Sequence, residues 1–97
     1  MIDSDQFTRI SKALADPRRF ELLQMIAGED EVACKAMVER FPVSQATISH
    51  HLKELSVAGL IEARREGQHG HYRLRPAVFA EYVAELERRV GATRIAR

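Results

Sequence analysis

The chain has 97 residues, 45% of them apolar and 30% charged, with 15 basic side chains against 14 acidic ones, four histidines and one cysteine. That suffices for one small domain, which buries only about 60–65% of the surface its unfolded chain exposes, so size alone leads us to expect association with a second chain. The composition excludes a fibrous or disordered chain, one cysteine excludes an intrachain disulfide framework, and no apolar run reaches the ~18 residues of a membrane span. With no signal-like amino terminus, the expected location is the reducing cytoplasm.

Residues 1–97 read as a single unit with no repeat or long linker, closed by a frayed basic tail from Arg94 to Arg97. The first helix is predicted over about 4–15, with Phe7, Ile10 and Leu14 on one stripe. Asp16 followed by Pro17 is an N-cap and first-turn proline, starting a second helix that turns Phe20, Leu23 and Ile26 inward and stops at Gly28. Glu29, Asp30 and Glu31 are expected to place negative charge at the start of a short third helix, whose apolar face is Val32, Met37, Val38 and Phe41 and which ends near Pro42. A fourth helix, about 44–58, has Ser44 as N-cap and Ile48, Leu52 and Leu55 on its apolar side. Its opposite face carries Ala46, His50 and Lys53, flanked by Thr47 and Ser49, with His51 at the edge of the apolar stripe. After Gly59 the period changes to two over about 60–75, around a turn Gly67-Gln68-His69-Gly70, which predicts a β-hairpin with Tyr72 and Leu74 packed on the core. Pro76 opens a last helix, about 76–90, with apolar residues at Val78, Phe79, Tyr82, Val83, Leu86 and Val90 on more than one side. Such a helix on so small a domain is expected to pack against a partner.

The predicted fold is therefore mainly α with a small β-hairpin wing, in the order α-α-α-α-β-β-α: a winged helix-turn-helix. Charge is distributed accordingly. Residues 1–43 carry six basic and eight acidic side chains, whereas residues 44–75 carry five basic and three acidic ones together with all four histidines. A nearly neutral molecule can still bind phosphates through one basic face, because screening over about 8–10 Å makes local charge matter more than the total. The fourth helix is expected to enter the major groove of double-stranded DNA, presenting Ser44, Gln45, Ala46, Thr47, Ser49, His50 and Lys53. Gln45 can bond an adenine edge bidentately, and Thr47 can offer its methyl to thymine or its hydroxyl to phosphate. Arg64, Arg65, Gln68 and His69 are expected to contact the backbone or minor groove as the wing. With histidine's ordinary pKa near 6.5, His50 and His69 in that role predict tighter binding at mildly acid pH.

Three segments in order, Lys12-Ala13-Leu14-Ala15-Asp16-Pro17-Arg18-Arg19, the run from Ser44 to Leu55, and the wing from Arg65 to Leu74, resemble the ArsR/SmtB family of bacterial transcriptional repressors over about residues 5–90. The resemblance implies a homodimer formed by the first and last helices, two recognition helices on an imperfect inverted repeat, and repression by occupying a promoter. Phe7, Ile10, Leu14, Phe79, Tyr82, Val83 and Leu86 are the dimerisation residues it suggests.

Many members of that family sense metals, and this sequence departs from both familiar patterns. The positions of a Cys-x-Cys pair fall on Ala33 and Lys35, with Cys34 between them. Nor does any Asp, His or Cys follow His71 to supply ligands on the last helix. His69 and His71 share one side of a strand but lack the third and fourth ligands zinc takes, and adjacent His50 and His51 diverge by about 100°. No metal and no cofactor is expected, and the effector is not specified. Cys34 reads first as a small buried hydrophobe, with a redox role as the alternative if Lys35 lowers its pKa. A winged-helix module that docks a protein without reading DNA is the other alternative. An enzyme is not expected, for no nucleophile-base pairing or phosphate-binding glycine loop is present.

Overall fold

Two aspartates start the first two helices. Asp3 accepts the Gln6 backbone N–H at 2.8 Å and caps α1 (Ser4–Ala15); Asp16 accepts that of Arg19 at 3.0 Å and caps α2 (Pro17–Ala27). The computed structural model describes residues 1–91; the basic tail from Arg94 to Arg97 lies outside them. The order continues as β1 (Val32–Ala33), α3 (Cys34–Arg40), α4 (Gln45–Val57), β2 (Ile61–Glu66), β3 (His69–Leu74) and α5 (Pro76–Val90).

The described residues carry the predicted winged helix-turn-helix, with four local departures. First, the acidic run does not cap a helix. Val32 and Ala33 instead form a short strand that pairs with Tyr72 and His71 of β3, giving a three-stranded antiparallel sheet ordered β1-β3-β2. Helix α3 then starts at Cys34 with no acidic residue in its first turn and no side-chain cap. Second, Phe20 is 40% exposed while Leu22 is fully buried. At 100° per residue these positions lie on nearly opposite sides of α2, and the buried face is the one defined by Leu22, Leu23 and Ile26. Third, Gly28 closes α2 in the right-handed region, not as a left-handed cap. Fourth, the hairpin turn is only Gly67-Gln68, and His69 and Gly70 belong to β3. Gly67 has φ +63°, suiting the first position of a two-residue turn that matches strand twist.

The hairpin register sorts its side chains. Ile61 with Leu74, Ala63 with Tyr72 and Arg65 with Gly70 share one face; Glu62 with Arg73, Arg64 with His71 and Glu66 with His69 share the other. The first face meets a core in which Ile10, Leu22, Ile26, Met37, Ile48, Leu52, Leu55, Leu60 and Ile61 are all fully buried. The Tyr72 ring folds over Gly70, where a Cβ would stand 3.0 Å from the tyrosine oxygen.

On α5, Val78, Tyr82 and Glu85 face inward, with the Tyr82 hydroxyl 2.8 Å from Ser11 Oγ and its ring 5.2 Å from that of Phe7. Half-buried Phe79 and exposed Val83, Leu86 and Val90 form a separate stripe at spacings of four, three and four. The candidate dimerisation residues therefore divide. Ile10 is wholly enclosed by its own protomer and Tyr82 is 7% exposed, so these two are core residues; Phe7 and Leu14 are half-buried, and Phe79, Val83 and Leu86 lie on the outward stripe.

Candidate nucleic-acid interface

Helix α4 starts where the chain leaves the Phe41-Pro42-Val43 turn. Ser44 Oγ accepts the Thr47 backbone N–H at 3.1 Å and donates to Thr47 Oγ1 at 3.0 Å. The cap therefore engages the hydroxyl of Thr47, itself an exposed residue. Ile48, His51, Leu52 and Leu55 anchor the inner face. Gln45, Ala46, Thr47, Ser49, His50 and Lys53 are all exposed, as is Ser44. The predicted recognition set thus shares one accessible face.

The wing stands beside it. A groove of about 740 Å³ separates α3 and the first half of α4 from the hairpin, and Gln45, Ser49, Arg65, Gln68 and His69 line it together. Arg64 points elsewhere: its Nη2 and Nε donate to the two carboxylate oxygens of Glu31 at 2.7 and 3.1 Å, and Glu66 is 3.5 Å away. This bidentate bond holds the Glu31 carboxyl below the usual carboxylate range and raises the pKa of Arg64 further. His71 lies between Glu31 and Glu66 at 3.8 and 3.7 Å. Arg64 consequently fastens the outer face of the wing to the segment before β1, whereas Arg65 faces the groove.

Three further basic side chains flank this surface. Lys35 lines the same groove as Gln45 and Ser49. Arg18 and Arg40 lie over the Phe41 ring, 5.3 and 6.0 Å from its centroid, at the turn leading into α4. In the sequence Lys35 is legible only as a misfit in a metal pattern; what could have singled it out is its place in the first turn of the helix that crosses the DNA backbone in this motif.

The donor set near Cys34 does not fit a soft-metal site. Its neighbours in sequence are Ala33 and Lys35, and burial pushes the thiol's pKa up, opposite to the lowering expected from Lys35. Among the described residues no group of three or more His, Cys, Asp or Glu is arranged to hold a metal ion. No described helix is long and apolar enough to cross a membrane.

A polar, exposed second helix in a helix-turn-helix, with a hairpin pinned alongside, defines the winged-helix class of DNA-binding modules. A family model described as a helix-turn-helix domain matches residues 14–64. The arsenical resistance operon repressor of Staphylococcus aureus is 32% identical over 81 residues, covering 84% of this chain and 77% of the relative. The HTH-type transcriptional regulator Rv0324 of Mycobacterium tuberculosis is 40% identical over 70 residues, 72% of this chain, and the match spans only 30% of that longer protein. Among solved structures, the homodimeric winged helix-turn-helix DNA-binding domain of a possible ArsR-family regulator from Mycobacterium bovis aligns with a TM-score of 0.72 and 35% identity, over 84% of this chain and 76% of that one. The chain belongs to the ArsR family of DNA-binding transcriptional regulators, which are not enzymes.

Proposed function

We propose that this chain is a sequence-specific repressor that acts in the cytoplasm as a homodimer on an inverted-repeat operator. The observation that carries this reading is the shared accessible face of Gln45, Thr47, Ser49, His50 and Lys53, with Arg65 and His69 of the wing across one groove. Gln45 and the Thr47 methyl are assigned to base edges; Ser44, Ser49, His50, Lys53, Arg65, Gln68 and His69 are assigned to phosphates or groove edges, with Lys35 added to them. Ala46 gives the helix close approach. Arg64 is assigned to bracing the wing, its guanidinium being bonded to Glu31. The outward stripe Phe79, Val83, Leu86 and Val90 supports pairing of two copies through α5, and half-buried Phe7 and Leu14 are assigned to the contribution of α1.

The test is fluorescence anisotropy on a duplex taken from the promoter of the protein's own gene, against a shuffled duplex of equal composition. Affinity for the promoter should fall steeply from 50 to 200 mM salt. Gln45→Ala should reduce the preference for promoter over shuffled DNA by about tenfold, and Arg65→Ala should weaken both alike. Binding indifferent to salt and to both substitutions would overturn the reading.

A further inference from the structure

His51 is the one histidine of α4 that points inward. It is 7% exposed, and its ring diverges from that of His50, the centroids lying 6.0 Å apart. Arg19 of α2 meets it: Nε donates to His51 Nδ1 at 3.3 Å, while Nη1 donates to the carbonyl oxygens of Ala13 at 3.3 Å and Lys12 at 3.5 Å. One guanidinium therefore joins the end of α1, the start of α2 and the middle of the recognition helix. At the far end of α4, Gln6 Nε2 donates to the Ala58 carbonyl at 3.3 Å. Together these bonds fix α4 to α1 and α2 at two separated points.

A guanidinium can only donate, so His51 Nδ1 must carry a lone pair and the ring must be neutral, with its proton on Nε2. A protonated imidazolium offers no acceptor and would set a second positive charge against Arg19. The groups facing His51 are Asp16, Arg18 and Arg19 across the interface and His50 on its own helix; Glu54, Arg9, Lys12 and Asp5 line the surface groove that Arg19 also borders. Burial is the main influence that keeps His51 below the ordinary histidine value; the surrounding arginines add to it, and Asp16 opposes it.

We propose that the Arg19–His51 hydrogen bond is a proton-controlled latch on the recognition helix: closed, it holds α4 at the angle that binds DNA; protonation of His51 opens it and weakens binding. Arg19 is thus a positioning residue that touches no base. The proposal rests on the DNA-binding reading above, and its direction is opposite to that expected from His50 and His69 on phosphate.

The test compares the wild-type chain with His51→Gln, whose side-chain carbonyl can accept from Arg19 but does not titrate, and with Arg19→Met, on the same promoter duplex between pH 8 and 5.5. His50 and His69 are present in all three proteins, so differences isolate the latch. Relative to His51→Gln, the wild type should lose about tenfold in affinity on acidification, the scale of one hydrogen bond to a charged group. At pH 8, His51→Gln should stay within about threefold of wild type, and Arg19→Met should already show about the tenfold loss. Parallel pH profiles for wild type and His51→Gln would overturn the latch, as would unchanged binding by Arg19→Met at pH 8. If no promoter binding occurs at any pH, the DNA-binding reading fails by itself. Amide exchange in α4 then decides the latch: acidification should speed exchange in the wild type and not in His51→Gln, and equal responses would overturn it.

Discussion

Gly59 shows how one residue can be required twice. It has φ +86°, where an L side chain is strained, and a Cβ built there would stand 2.9 Å from Gln6 Nε2, the atom that bonds the Ala58 carbonyl. Gly59→Ala therefore adds backbone strain and displaces a bond that holds the end of α4. The expected cost is about 1–3 kcal/mol, or roughly 5–20 °C in Tm for a domain of this size, read by thermal unfolding. An unchanged Tm would refute this account. The break after α4 is legible in the sequence because a glycine follows a helical period. The role of Gln6 is not, because it depends on a contact 52 residues away. The same holds for Arg19 and Arg64: each sits in a familiar pattern, but its partner is set by packing between distant elements.

At the scale of elements, α5 carries two faces with different work. Val78, Tyr82 and Glu85 serve the protomer, and Phe79, Val83, Leu86 and Val90 are left outward. Leu86→Lys puts a charge in the middle of the outward stripe, and burying it unpaired is costly. The dimer should weaken by about 100-fold or more, read by sedimentation at several concentrations. Tyr82→Phe is the control: it removes the hydroxyl bonded to Ser11 and should cost about 1 kcal/mol of stability while leaving the dimer intact. A Leu86→Lys chain that remains fully dimeric would exclude this stripe as the interface. Helical periodicity made both long terminal helices readable, since an apolar stripe repeats over three turns or more. It could not separate buried from outward-facing positions, because Ile10 and Leu86 present the same chemistry in different surroundings. Strand β1 escaped notice for another reason: two residues have no period, and only pairing with β3 makes Val32 and Ala33 a strand.

For the whole molecule, buried and bonded ionisable groups set a dependence of stability on pH. Burial lowers the pKa of His51 below its ordinary 6.5, so the unfolded chain binds protons first as pH falls; the stability contributed by neutral His51 is complete above 6.5 and is lost as acid brings the pH down toward the folded value. The carboxylates act in a later window. Arg89 donates to Glu85 at 2.7 Å, lies 4.0 Å from the Phe7 ring centroid and donates to Ser4, joining α5 to α1. Its hydrogen bond holds the Glu85 carboxyl below the ordinary 4.5, so that contribution is present above 4.5 and lost as pH falls further. Tm should thus fall in two stages on acidification, the first flattened by His51→Gln and the second by Glu85→Gln. A profile unaltered by either substitution would contradict the assignment. One consequence concerns length. Pairing of β1 with β3, together with the Arg64–Glu31 clamp, ties the hairpin to the segment that immediately precedes α3, so the wing is joined to the helix-turn-helix at a second place besides the α4–β2 connection. In the proposed reading of a DNA half-site, the span from wing to recognition helix is therefore set within each copy. In the homodimer proposed above, tolerance for operators with longer or shorter spacers is then expected to come from the contact between the two copies.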